Sequence, residues 1–167
     1  MTFHPGEIDG ITWQTLSFYH DARGWLCELY REDAIPVEFH PVMSYVSMTN
    51  PGVARGPHEH AEQADYFCFI GPGVFRVYLW DARPSSPTYG KKQARDVGEG
   101  TPHALIVPPG VVHAYRNIGN GPGIVFNAAN ALYAGPDRAG WRGPHGTPDY
   151  VDEIRHEHDA DSPYQLD

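Results

Sequence analysis

Short runs in which apolar and polar residues alternate, each closed by glycine or proline, dominate this chain. The clearest is Phe75, Val77 and Leu79 alternating with Arg76 and Tyr78. A period of two puts alternate side chains on opposite faces of a strand. Strands are predicted over Ile11–Tyr19, Trp25–Tyr30, Val42–Thr49, Tyr66–Ile70, Val74–Trp80, His103–Val107, Val111–Asn117 and Gly123–Asn127. The turns are explicit at Gly71-Pro72-Gly73, Pro108-Pro109-Gly110 and Gly119-Asn120-Gly121-Pro122-Gly123. No window carries a sustained 3.6-residue stripe, so helices are expected to be few and short. Many short strands joined by tight turns read as a β-sandwich or barrel.

Composition narrows this picture. The 167 residues suit one domain spanning 1–167, and an apolar share of 41 % is enough for a core. The net charge of −9 argues against nucleic acid and acidic membrane surfaces as partners. The longest apolar stretch, about Ala104 to Val112, is broken by Pro108 and Pro109, so no membrane span is expected. The N-terminus has neither the basic nor the apolar region of a signal peptide. Cys27 and Cys68 each lie in an apolar run and are expected to be reduced core thiols of a cytoplasmic protein. From Pro144 the chain becomes an acidic strap, about 144–167. It carries Asp149, Asp152, Glu153, Glu157, Asp159, Asp161 and Asp167, with His145, His156 and His158 among them. Either this strap is merely solvated, or it folds over the barrel mouth and lends a carboxylate to a site.

Ten histidines are many for this length, and three stand out by spacing. His58 and His60 are two apart, so in an extended segment both imidazoles project from one face. His113 follows the Pro108-Pro109-Gly110 turn, with Asn117 four residues on. Two imidazoles from one strand and a third from a distant one can frame a metal or perform acid–base chemistry.

These stretches resemble the two cupin motifs. The first runs from Gly52 to His58-x-His60, with Asp65 where a glutamate is usual. The second is Pro108-x-Gly110-x-x-His113-x-x-x-Asn117. The resemblance implies an all-β double-stranded β-helix, a jelly-roll barrel. A narrower likeness is to the dTDP-4-dehydrorhamnose 3,5-epimerase-like proteins. It is carried in order by Asp21-Ala22-Arg23-Gly24-Trp25-Leu26-Cys27-Glu28, Gly52-Val53-Ala54-Arg55-Gly56-Pro57-His58, Val77 to Arg83, and Val107 to Tyr115. That family's activity implies an isomerase of carbohydrate biosynthesis acting on a nucleotide-diphosphate-linked 4-keto-6-deoxy sugar. A base removes the proton alpha to the carbonyl, and an acid returns one to the opposite face. The resemblance implies His58 as base, Asp159 as the tail carboxylate beside it, and Arg23, Arg55 and Glu28 near the nucleotide. His113 and Tyr115 are also taken as substrate contacts. It further implies no required cofactor and a homodimer exchanging an N-terminal strand, for which Ile11–Tyr19 is the candidate.

The departures from the family pattern fall on the chemistry. Tyr66 aligns with the family's enolate-stabilising Lys, Phe126 with its Tyr acid, and His60 with a Gln. Three readings follow. One is an epimerase in which His60, Tyr66 or Tyr115 acts as acid. Another is a metal-dependent cupin enzyme with His58, His60 and His113 binding Fe, Mn, Ni or Zn, and Asp65 or Gln63 as a fourth ligand. The last is a non-catalytic sugar-binding cupin.

Overall fold

The computed structural model describes residues 1–133, 152–157 and 159–166. The tail residues His145, Asp149, His158 and Asp167 lie outside them. Two sheets hold the fold. The six-stranded sheet runs in the order β1 (His4–Pro5), β9 (Lys91–Gly98), β8 (Val74–Asp81), β11 (Val111–Asn117), β6 (Ala54–His60) and β13 (Glu153–Arg155). The five-stranded sheet runs β2 (Thr12–Thr15), β10 (His103–Val107), β7 (Asp65–Phe69), β12 (Gly123–Ala129) and β5 (Met43–Thr49). A separate hairpin joins β3 (Phe18–Asp21) to β4 (Gly24–Cys27). From β5 to β8, and again from β9 to β12, the chain steps between the two sheets, which is the winding of a jelly roll. The only helices among the described residues are single 3₁₀ turns at Glu32–Ala34 and Val37–Phe39.

Alternation along the strands sorts the core into layers. Phe67, Phe69, Leu105, Val107 and Val125 of one sheet meet Phe75, Val77, Leu79, Val97, Val111 and Tyr115 of the other. The opposite face of the five-stranded sheet presents Tyr66, Cys68, Ala104, Ile106 and Ala128, covered by Leu16, Leu29, Ile35 and Phe39. The outer face of the six-stranded sheet presents Tyr78, Trp80, Val112 and Ala114, covered by Phe3, Tyr164 and Leu166. Both sheets are therefore buried on both faces near their centres. That explains why β7 and β11 read as nearly continuous apolar runs rather than as clean alternations.

Several expected strands shift. Ile11–Tyr19 splits into β2 and β3, and the run expected over Trp25–Tyr30 ends at Cys27. β2, the candidate exchanged strand, pairs with β10 of its own chain, from Thr12↔Ile106 to Thr15↔His103. β6, β9 and β13 had no apolar run to betray them. β9 opens Lys-Lys-Gln-Ala-Arg-Asp, and most of these side chains face solvent.

The segment from Val77 to Arg83, one of those that carry the family likeness, ends in a structural cluster. Asp81 is fully buried. Its carboxylate accepts hydrogen bonds from Arg83 Nε and Nη2, Ser86 Oγ and Thr88 Oγ1. Burial opposes the charge on Asp81, but these donors outweigh it and hold the carboxyl well below the usual range. Asn117 is likewise a buried brace: its Nδ2 donates to Thr49 O and Gly121 O.

Candidate active site

β6 and β11 are antiparallel neighbours, and His58 pairs with His113 across them. Gly56 makes the close approach there. Its φ of +84° is a left-handed conformation, and a Cβ would stand 2.5 Å from His113 O. The ladder slips between His113 and Tyr115. As a result His58, His60 and His113 converge, with ring centroids 4.3 Å apart for His58–His113, 5.6 Å for His58–His60 and 6.0 Å for His60–His113.

Asp65 reaches this cluster from β7, in the opposing sheet. Its Oδ2 lies 3.3 Å from His60 Nε2 and 3.3 Å from His113 Nε2. Its Oδ1 accepts from Gln63 Nε2 at 3.0 Å and Asn127 Nδ2 at 2.8 Å. Burial opposes the charge on Asp65, yet His113 and His60 hold its pKa far below normal. For His60, burial disfavours protonation, but Asp65, with Asp152 and Glu153 behind it, outweighs burial and raises the pKa. His58 is pushed down to about 2 by burial and by the two neighbouring imidazoles, so it is neutral.

A cavity of about 380 Å³ opens onto this cluster. Arg55, His58, His60, Gln63, Phe67 and Tyr115 line it. Tyr45 and Ser47 of β5 and Tyr133 contribute from the opposite side. Arg55 Nε donates to Thr49 Oγ1 at 3.0 Å and its Nη2 to Met48 O at 2.9 Å. Tyr115 Oη and Ser47 Oγ are 3.2 Å apart. Tyr45 Oη accepts from Asn127 Nδ2 at 2.9 Å, and burial pushes its pKa up to about 12, so it remains a phenol.

The acidic tail closes one wall. β13 pairs with β6, Glu153 opposite His60 and Arg155 opposite His58, and both tail residues face the cavity. Asp152 accepts from the backbone N–H groups of Glu62 and Gln63 at 2.9 and 2.7 Å. Its Oδ2 lies 3.6 Å from His60 Nδ1.

The structure thus gathers His58, His60, Arg55 and Tyr115 around one cavity, with His113 behind them at 3 % exposure rather than on the lining. Other expected residues stand elsewhere. Tyr66 alternates with Asp65 and Phe67, so it points to the far side of β7, where its Oη donates to Leu29 O at 2.6 Å. Phe126 packs in that same outer layer. Asp159 is exposed and accepts from the N–H groups of Asp161 and Ser162, which makes it a turn cap; the tail carboxylate at the cluster is Asp152. Arg23 sits at the tip of the β3–β4 hairpin, its side chain 91 % exposed and paired with Asp21. Trp25, from the same Asp21–Glu28 stretch that carries the family likeness, is on that exposed hairpin too. Glu28 pairs with Arg31 on a separate surface hollow. Tyr45, Ser47 and Arg155 were not singled out from sequence. Tyr45 and Ser47 lie two apart on β5, the same period-two signal that marked His58 and His60.

Two mainly antiparallel sheets wound as a jelly roll, with imidazoles from adjacent strands and a carboxylate meeting inside one end, define a cupin. Within that class the model of the dTDP-4-dehydrorhamnose 3,5-epimerase family matches residues 5–142. The chain is 36 % identical over 128 residues to the probable low-salt glycan biosynthesis epimerase Agl13 of Haloferax volcanii, covering 76 % of this chain and 81 % of that one. Among solved structures, a dTDP sugar isomerase from Desulfovibrio desulfuricans G20 superposes with a TM-score of 0.74 at 23 % identity, covering 92 % of this chain and 87 % of that one. NovW, a 4-keto-6-deoxy sugar epimerase from Streptomyces spheroides, superposes with a TM-score of 0.72 at 22 % identity, covering 100 % and 78 %. The chain belongs to the dTDP-4-dehydrorhamnose 3,5-epimerase family, and it is an isomerase, a nucleotide-sugar epimerase.

Proposed function

We propose that this enzyme epimerises a carbon next to the ketone of a thymidine-diphosphate-linked 4-keto-6-deoxy sugar. His58 is the base and Tyr45 the acid. The observation that carries this reading is their placement: His58 comes from β6 in one sheet and Tyr45 from β5 in the other, and both line the cavity. Inversion needs a proton removed from one face of the sugar and returned to the other, so the two groups must flank it. Asn127 donates to the Tyr45 oxygen, which leaves the phenolic proton for the substrate. Arg55 and Arg155 at the same cavity offer guanidinium groups to the diphosphate. The likeness to NovW, a 4-keto-6-deoxy sugar epimerase, supports the keto-sugar as substrate class.

We place the enzyme in the cytoplasm as a homodimer. Its two cysteines are unpaired, and no helix among the described residues is long and apolar enough to cross a membrane. Tyr19, Trp25, Leu26, Val46 and Met48 leave apolar surface exposed on the hairpin and on β5 that a second copy can cover.

The test is proton exchange in D₂O, followed by NMR on the thymidine-diphosphate 4-keto-6-deoxy sugar. The parent is expected to incorporate deuterium beside the carbonyl. His58→Asn should slow this by at least ~100-fold, the scale of general-base catalysis. Tyr45→Phe should retain wash-in but lose inversion. A folded parent with no wash-in, or a His58→Asn variant exchanging at the parent rate, overturns the assignment.

A further inference from the structure

We infer that the Tyr115 hydroxyl, backed by Ser47, donates the hydrogen bond that holds the substrate's ketone oxygen while negative charge gathers on it. This deepens the epimerase reading above and rests on it. The shape of the intermediate sets the place. An enolate is flat: its reacting carbon exchanges protons above and below the plane, and its oxygen lies in the plane. In this cavity His58 stands on the six-stranded sheet and Tyr45 on the five-stranded one. The oxygen must therefore point along the gap between the sheets, and its donor must stand in that gap. Tyr115 comes from β11 of the first sheet and Ser47 from β5 of the second, and their oxygens meet 3.2 Å apart. Both residues line the cavity.

The phenol is held ready for this task. Tyr115 is buried, and its ring stands edge-on to Phe67, Phe69 and Phe75 at centroid distances of 5.7, 5.6 and 5.7 Å. Three aromatic contacts fix the ring, so little reordering is needed as charge develops. A hydroxyl both donates and accepts. With Ser47 donating to the Tyr115 oxygen, the phenolic proton is left for the ligand, and the two bonds in series reinforce each other. Burial raises the pKa of the phenol above its ordinary value, so it keeps its proton at neutral pH. Arg55 sits opposite Tyr115 across the β6–β11 ladder and adds positive charge beside the pair. Neighbouring donors are engaged elsewhere. Asn127 Nδ2 donates to Tyr45 Oη and Asp65 Oδ1, Gln63 Nε2 donates to Asp65 Oδ1, and the ring nitrogens of His60 face Asp65 and Asp152.

In the step itself, the C–H bond next to the ketone breaks. Its proton passes to His58, its electron pair forms the carbon–carbon double bond, and the carbonyl π pair moves onto oxygen. Tyr115 keeps its proton, and its hydrogen bond strengthens because the acceptor gains charge. When Tyr45 protonates the opposite face, the electron pairs return and the bond weakens again. The contact favours the enolate over the ketone, so its loss slows turnover more than it weakens binding. The family resemblance gives this role to a lysine, and Tyr66, in that alignment position, points away from the cavity.

The test measures deuterium wash-in by the full chain on the thymidine-diphosphate 4-keto-6-deoxy sugar. Calorimetric binding of thymidine diphosphate, which has no ketone, is measured beside it. Tyr115→Phe should slow wash-in by about 100-fold, the scale of one lost oxyanion donor, with affinity for thymidine diphosphate within about twofold of the parent. Ser47→Ala should slow it by about 2- to 10-fold, the scale of one neutral hydrogen bond. Circular dichroism checks that each variant is folded, and Ser47→Ala decides where Tyr115→Phe does not fold. A folded Tyr115→Phe or Ser47→Ala that exchanges at the parent rate overturns the donor and leaves the epimerase reading intact. Equal losses of exchange and of thymidine-diphosphate affinity in Tyr115→Phe make Tyr115 a wall of the pocket and overturn the donor as well. A folded parent with no wash-in overturns the epimerase reading and the donor with it.

Discussion

Replacing Arg55 by alanine separates ligand binding from folding. The guanidinium lines the cavity and is anchored by two hydrogen bonds, to Thr49 Oγ1 and Met48 O. These engage Nε and Nη2, and among the described residues Nη1 has no hydrogen-bond partner. A hydrogen bond to a charged group contributes about 1.5–3 kcal/mol. Losing one to a diphosphate oxygen should weaken binding by about 10- to 150-fold, at 1.4 kcal/mol per tenfold. The folding cost is expected to be smaller, because the anchors join an exposed guanidinium to neutral acceptors, where water competes for the same donors, and should contribute about 1 kcal/mol each. Calorimetric titration with thymidine diphosphate measures the first quantity and urea unfolding the second. An affinity within twofold of the parent would refute the placement of the diphosphate at Arg55. A large loss of stability would refute the claim that its anchors matter little to the fold.

Two further outcomes test the scaffold. Asp81→Asn breaks a buried charged cluster and should cost about 3–5 kcal/mol at pH 7. The native pKa of Asp81 is depressed, so its contribution is present above the unfolded value near 4 and lost as pH falls below it. The stability gap between parent and variant should therefore narrow from pH 7 to pH 3; a constant gap contradicts the assignment. Tyr66→Phe should lower stability by about 1 kcal/mol through the lost bond to Leu29 O, while deuterium exchange proceeds at the parent rate. Slowed exchange in this variant would return Tyr66 to the chemistry.

The jelly roll and the imidazole cluster were legible because each rests on a local rule. Alternation marks β8, and a spacing of two places His58 and His60 on one face. The Pro108-Pro109-Gly110 turn sets up β11 and His113. What failed was the side of a strand. Tyr66 occupies the right place in the chain, but its neighbours Asp65 and Phe67 take the inner face, so parity turns it outward. The tail carboxylate depended on a strand pairing that no local pattern encodes. β13 is three residues long and apolar only at Ile154, so nothing in the sequence distinguished Asp152 from Asp159. β9 was hidden because solvent-facing charge hides half of an edge-like strand's signature.

β13 pairs with a single strand, β6, at the edge of its sheet, yet it supplies Glu153 and Arg155 to the cavity wall. The layers that keep the molecule folded are drawn almost wholly from the strands upstream of it. One wall of the cavity is thus furnished by a stretch of polypeptide distinct from the strands whose packing holds the barrel together.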